Sequence, residues 1–298
     1  MKSYKDIIGD GGSNVVAQVG EQLDRLNERL TSVRHIIAVM SGKGGVGKSS
    51  VAVNVASTLA LDGAAIGILD ADINGSSIPK MTGVRGQTLQ RGETGMIPPV
   101  NSLNMKVVSI DLLLEDDRTP VEWDTTTPKD AYTWRAMMEM GAIREFFSDT
   151  EWGELDYLFV DLPPGTDKLP NIVGLLPHIS GTIIVTIPAA LSQFVVGKSV
   201  HMAKETLKTP IIGLLENMAS HVCSHCGEED VLFPGGQVEQ MAEQAGIPYL
   251  GRIPFDSRIA AAGDGEALFM TNYAESPAGR EISRIAGRIK TFVDGGEL

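Results

Sequence analysis

Apolar positions recur along this chain in two registers. Near the N-terminus Val15, Val19, Leu23, Leu26 and Leu30 stand at helical spacing, with Glu21, Asp24, Arg25 and Glu28 between them. That spacing predicts an amphipathic helix packed on the main domain. From residue 34 onward the register changes. Short β-branched apolar runs at 35–40, 65–69, 157–160, 182–187 and 211–215 alternate with longer helical patterns such as 49–61 and 192–207. Apolar runs that short and continuous mark strands buried on both faces, the signature of a parallel sheet, and the intervening helices supply the crossovers. The expected fold is therefore α/β: a doubly wound, mostly parallel sheet with helices on both faces. An N-terminal helical extension over 1–33 is expected ahead of one domain over 34–298, which no internal repeat or Pro/Gly/Ser-rich linker divides.

Two stretches stand apart from this alternation. Between 111 and 130, Glu115, Asp116, Asp117, Pro120, Asp124, three consecutive threonines and Pro128 read as an irregular surface excursion that names no chemistry. Near the C-terminus Ile282, Ile285, Ile289 and Phe292 lie opposite Arg280, Arg284 and Arg288. A surface-seeking helix has that pattern, but so does a terminal helix docked on a sheet, which is the expectation taken here.

Charge narrows the setting. Lys plus Arg number 25 against 38 Asp plus Glu, a net charge of −13 over 298 residues, which repels phosphate backbones and anionic lipid surfaces. Neither a nucleic-acid nor a membrane partner is expected. With 43% hydrophobic and 21% charged residues the chain folds rather than staying disordered. Two cysteines form no disulfide framework, no apolar run reaches the roughly 18 residues of a membrane span, and no signal-peptide pattern opens the chain. A reducing, cytoplasmic setting is expected.

The first chemistry follows the strand HIIAVM. Gly42, Gly47, Lys48 and Ser49 satisfy G-x-x-x-x-G-K-[ST] within the loop Gly42, Lys43, Gly44, Gly45, Val46, Gly47, Lys48, Ser49, Ser50. Glycines let successive backbone N–H groups turn toward phosphate oxygens, and the following helix adds its positive end. Lys48 would meet the β- and γ-phosphates and Ser49 would ligate Mg2+. Phosphoryl transfer also needs a metal held and a water aimed by carboxylates at the same edge of the sheet. Asp70 and Asp72 in ILDAD, and Asp161 in FVDLPPGT, end two of the strands.

The second chemistry is Cys223 and Cys226, the only cysteines, in VCSHCG. A C-x-x-C turn aims two thiolates at one metal, whereas a tetrahedral zinc or a four-iron cluster wants four ligands. Three readings stand: a metal site completed by a second subunit, a zinc site that adds His221 or His225, and a redox dithiol. A redox dithiol should open a helix, yet Gly227, Glu228, Glu229 and Asp230 follow, and their acidity should discourage thiolates.

The loop K-G-G-V-G-K-S resembles the deviant Walker A of the MinD/ParA/ArsA/nitrogenase-iron-protein group. With D-A-D-I-x-G-x-S-I-P, W-G-E-L-D-Y-L-x-V-D-L-P-P-G-T, E-N-M, C-x-x-C-G and G-R-I-P-x-D, in that order between residues 34 and 259, the chain resembles the Mrp/ApbC/Nbp family of P-loop ATPases. The resemblance implies that Lys43 acts across a dimer interface on the partner's nucleotide and that Asp72 positions the attacking water. It implies adenine contacts from Asn217, Pro254 and Asp256. It further implies slow Mg-dependent ATP hydrolysis, a homodimer bridged by a 4Fe-4S cluster on Cys223 and Cys226 of both chains, and delivery of that cluster to apo iron-sulfur proteins. The same loop leaves open a MinD/ParA-like positional ATPase at a membrane or DNA surface. This chain departs from the family at Asn74-Gly75-Ser76-Ser77, where Tyr-Gly-Pro-Ser is usual, and at Gly165-Thr166-Asp167-Lys168 in place of Gly-Thr-Gly-Asp. The 125–133 region reads as an insertion ahead of Trp134-Arg135, and no separate small N-terminal domain of the kind found in many relatives is expected.

Overall fold

The computed structural model describes residues 15–114, 131–165, 169–223, 225–233 and 237–296. Seven strands form the central sheet: β1 (Val33–Met40), β2 (Ile66–Asp70), β3 (Lys106–Val108), β4 (Leu155–Asp161), β5 (Gly181–Thr186), β6 (Ile211–Glu216) and β7 (Tyr249–Arg252). All pairings are parallel, in the spatial order β7-β6-β5-β1-β4-β2-β3. The winding direction changes beside β1, which has β4 on one side and β5 on the other, so the loop after β1 opens at the crevice where such sheets bind ligands.

Side-chain alternation sorts the core into two layers. Ile37 and Val39 of β1 face one layer, built with α2 (Lys48–Leu61) and the terminal helix Pro277–Val293. Ile36, Ala38 and Met40 face the other, with α1 (Val15–Thr31), α3 (Ala131–Ser148), α4 (Ala190–His201) and α5 (Val238–Ala245). Helix α2 is apolar nearly all round, with Val51, Ala52, Val53, Val55, Ala56 and Leu59 buried, as a helix between a sheet and another helix must be. In α1, Leu26 and Leu30 are fully buried.

The five predicted strands are present, each within two residues at either end. The edge strands β3 and β7, of three and four residues, were not predicted, because so short a run carries no readable period. The pattern at 192–207 continues α4 as a π-helix at Met202–Leu207, which ends at Lys208 in the left-handed region (φ 51°). After α5 come α6 (Ser257–Asp264), a single turn of helix at Phe269–Tyr273 and α7 (Pro277–Val293). In α7, Ile282, Ile285 and Ile289 are buried, while Arg288 donates to the Tyr249 carbonyl at 2.9 Å and Arg284 to the Leu250 carbonyl at 3.3 Å. The terminal helix is thus docked on β7 by both its apolar and part of its basic side. Of the predicted excursion, Ile110–Leu113 forms a short 3-10 helix; residues 115–130 and Thr166 to Lys168 lie outside the described residues. Among the described residues no helix is long and apolar enough to cross a membrane.

Candidate nucleotide site and cysteine hairpin

The carboxyl ends of β1, β2, β4, β6 and β7 deliver the site. After Met40 the loop turns through Gly45 (φ 77°) and Gly47 (φ 78°), both left-handed, and Lys48 begins α2. Asn217, just past β6, donates its side-chain amide to the Val46 carbonyl at 2.9 Å. A Cβ at Gly47 would stand 2.3 Å from Asn217 Nδ2, so both backbone angle and neighbour demand glycine there. Gly47→Ala is expected to lower stability by roughly 2 kcal/mol or more, the left-handed backbone alone costing about 1 kcal/mol. Urea denaturation of the purified protein measures it.

Asp161 ends β4, fully buried. Its two carboxylate oxygens accept Lys48 Nζ and Ser49 Oγ, each at 2.5 Å. Asp70 lies opposite it on β2, in register, and is also buried. Burial, and next the Asp161 charge, push the Asp70 carboxyl up to about 7, with Lys48 opposing. Burial raises Asp161 too, against the pull of Lys48 and Ser49. Asp70 organises the loop that follows it: Oδ1 accepts the Asp72 N–H at 3.1 Å, and Oδ2 accepts the Ser77 N–H at 3.2 Å and the Ser109 hydroxyl at 3.4 Å. Asn74 ties the same loop to α3, donating to Glu139 Oε1 at 3.1 Å.

These parts enclose a cavity of about 240 Å³ lined by Ser41, Gly44 to Ser50, Asp72, Gly75, Ser77, Met81 and Pro164. Gly42 and Lys43 precede them, half-buried, with the Lys43 carbonyl accepting the Ser41 hydroxyl at 3.0 Å. Ser50, Ser77 and Met81 also line a second cavity of about 330 Å³, whose walls include Asn217, Pro254, Asp256, Ile259 and Phe269. The first is ringed by glycine backbone, Lys48 and serine hydroxyls, suited to phosphate oxygens; the second is mostly apolar with a few polar groups, suited to a planar base. Three sequence-predicted base contacts therefore meet beside the predicted phosphate loop. Asp256 caps α6 by accepting the Arg258 N–H at 3.0 Å. Burial pushes its carboxyl up, but hydrogen bonds from the Arg258 side chain and backbone outweigh that and hold it below the usual carboxylate range.

Cys223 and Cys226 sit at the tip of an antiparallel hairpin, Ser220–Val222 with Glu229–Val231. The Cys223 N–H donates to the Glu228 carbonyl at 2.8 Å and the Gly227 N–H to the Cys223 carbonyl at 2.9 Å, a turn that needs left-handed Gly227 (φ 75°). Backbone N–H groups of Cys226 and His225, with the Cys226 thiol, draw the Cys223 thiol below its ordinary value. The expectation that the acidic run discourages thiolates is therefore corrected at Cys223: Asp230 does raise it, but the converging N–H groups outweigh that charge. Among the described residues no helix opens at the pair, as a thioredoxin-like dithiol would require. Among the described residues no group of three or more His, Cys, Asp or Glu is arranged to hold a metal ion. Pro254, Phe255 and Asp256 form a shared wall: one side lines the base cavity, the other a cavity of about 460 Å³ with His221, Val222 and Cys223.

Sequence reasoning missed Ser109, Glu139 and Arg258. Glu139 carried a faint signal as a carboxylate in the Met-rich run of α3, and Arg258 another, two residues after a helix-capping Asp.

A family model described as ParA, NUBPL iron-transfer P-loop NTPase, matches residues 32–290. The chain is 42% identical over 279 residues to the iron-sulfur cluster carrier protein of Methanocaldococcus jannaschii, covering 93% of this chain and 91% of that one. A solved nucleotide-binding protein from Archaeoglobus fulgidus, in complex with ADP, superposes with TM-score 0.70 at 36% identity, covering 82% of this chain and 91% of that one. The septum site-determining protein MinD of Pyrococcus horikoshii, with Mg-ADP, shares the fold: TM-score 0.56 at 17% identity, covering 86% of this chain and 95% of that one.

Proposed function

The chain belongs to the family of NUBPL iron-transfer P-loop NTPases, and on that premise we propose that it is an ATP-dependent iron-sulfur cluster carrier. The observation that carries the proposal is the shared wall: Pro254 to Asp256 touches both the base cavity and the cavity beside Cys223. One chain supplies two thiolates, so a 4Fe-4S cargo takes Cys223 and Cys226 from each of two subunits, and two-fold symmetry brings the hairpins to one axis. Delivery to an apo-protein exchanges these thiolates for the acceptor's, each iron losing one sulfur ligand as it gains another.

ATP is the substrate of the P-loop. Gly44 to Ser50 cradle its phosphates, Lys48 neutralises the β- and γ-oxygens, and Asn217, Pro254 and Asp256 receive adenine. Ser49 is the residue that would hold Mg2+, with Asp161 behind it; the ion would supply charge neutralisation to the transferring phosphoryl group. Asp72, held through Asp70 and lining the phosphate-side cavity, orients the water. That water bonds to the γ-phosphorus as the bond to the β–γ bridging oxygen breaks, giving ADP and inorganic phosphate. Lys43 of the partner's loop stabilises the charge that develops. Asp72→Asn is expected to keep ADP affinity within about threefold and to lower turnover by about 100-fold, since only the water's placement is lost. Titration calorimetry and phosphate release separate the two effects.

The positional reading, in which a MinD/ParA-like ATPase cycles on membrane or DNA, is not favoured. The helix it needs is docked on β7 through Arg284 and Arg288, and the net charge of −13 opposes both surfaces. Anaerobic reconstitution tests the carrier reading directly. Iron and sulfide at four each per dimer, and reactivation of an apo 4Fe-4S dehydratase by the loaded protein, are expected. Stoichiometric zinc without iron would overturn it.

A further inference from the structure

We propose that Arg258 sets the choice of base, because its hold on Asp256 leaves the base cavity able to take adenine and unable to take guanine. The inference rests on the adenine reading above and concerns how that choice is made. Asp256 lines the cavity with its side chain only 11% exposed, against 46% for Arg258. A half-dry carboxylate on such a wall is the group that would select guanine, whose N1–H and exocyclic N2–H2 point side by side and want two adjacent acceptors. Here those acceptors are taken. Oδ1 receives the Arg258 N–H at 3.0 Å and Nε at 2.9 Å, and Oδ2 receives Nη2 at 2.6 Å. Of roughly four lone-pair sites on a carboxylate, one remains, on Oδ2. One acceptor suffices for the adenine N6 amino group, whereas a guanine edge would bury an unpaired N–H.

The arginine is fixed from outside the cavity. Its guanidinium lies over the Tyr273 ring, 4.9 Å from the centroid, and it lines the cysteine-side cavity rather than the base cavity. Removing its guanidinium frees Oδ2 and one site on Oδ1, while the residue-258 N–H stays on Oδ1, and Arg258 itself is no part of the base cavity's lining. The other carboxylate at this cavity, Asp264, is 81% exposed and paired with Lys80 at 3.4 Å, so water competes for it and it gives little discrimination.

The test is equilibrium binding of ADP and GDP to the full-length protein and to Arg258→Met, Arg258→Lys and the double variant Arg258→Met/Asp256→Asn. The wild type is expected to prefer ADP. Arg258→Met should cut that preference about tenfold or more, mainly by tightening GDP, since one frustrated hydrogen-bonding group is worth about that ratio. Arg258→Lys, with one compact donor group, should fall between. In the double variant the amide keeps one oxygen, already accepting the residue-258 N–H, and sets an NH2 donor where the second carboxylate oxygen stood, so a guanine donor meets a donor and the ADP preference should return. An unchanged ADP:GDP ratio in Arg258→Met with a selective wild type overturns this inference and leaves the adenine reading standing. Equal ADP and GDP affinity in the wild type overturns the adenine reading itself. Equal weakening of both nucleotides in the single variants, or a double variant that still binds GDP, assigns Arg258 to bracing the loop and likewise overturns the inference.

Discussion

Cys223→Ser or Cys226→Ser is expected to abolish the visible absorbance of the reconstituted protein and to leave ADP affinity within about twofold of wild type. Ligand number is the cause, because each substitution takes two of four thiolates from a two-fold site, and a serine hydroxyl stays protonated where a thiol ionises. The hairpin should survive. Its turn is held by backbone bonds from Cys223 to Glu228 and from Gly227 to Cys223, which a serine keeps. The two thiols differ. Cys223 has its thiol drawn down by two backbone N–H groups, whereas exposed Cys226 donates to Glu228 at 3.8 Å. Cys226→Ser thus leaves in place the thiol that the backbone N–H groups draw down, yet two ligands of four hold no cluster. Because a bridging cluster binds only the associated form, loading should also tighten the dimer by mass action. Sedimentation of loaded and cluster-free protein reads this, and both cysteine variants should sediment as cluster-free wild type at every iron level. Retention of the cluster after loss of both cysteines would sink the assignment.

How much of this was legible in the sequence depends on the distance over which each feature is encoded. The P-loop, Asp161 and the C-x-x-C pair are local: a few adjacent residue types specify them, and the sheet then delivers them to one edge because every strand runs the same way. What stayed hidden is tertiary. Asp70 and Asp161 are 91 residues apart in number yet opposite in register, and nothing in either segment announces their mutual effect on protonation. Asn74 stands in a loop far from α3 in the sequence, and only the fold shows that α3 answers it with Glu139. Pro254 and Asp256 read as base contacts in the sequence, whereas the second face of their wall, beside Cys223, is not legible there, because the hairpin that fills that side comes from a different part of the chain.

Lys48→Ala is expected to weaken ADP binding by about 100-fold or more and to bring ATP hydrolysis to background, because a desolvated ammonium on phosphate is the strongest single contact the loop offers. The larger surprise should be in stability. Lys48 is 6% exposed and Asp161 fully buried, at 2.5 Å. Breaking a buried pair from one side costs about 3–5 kcal/mol, since the remaining charge has no partner. Here two carboxylates are stranded, not one. The pH dependence separates this from a mere packing defect. Asp70 titrates near 7 folded, against 3.8 ordinarily, so between those values the folded chain holds a proton the unfolded chain has released. Stability then falls as pH rises through that window and levels above it. Lys48 opposes the upward shift at both Asp70 and Asp161, so its removal deepens the fall. The stability gap between wild type and Lys48→Ala, measured without Mg2+ or nucleotide, should widen from pH 4 to pH 8. Adding Asp161→Asn to Lys48→Ala should restore much of the lost stability while leaving nucleotide binding lost. A gap independent of pH, or ATPase rates equal to wild type in Lys48→Ala, would refute the arrangement of charge on which the site has been built.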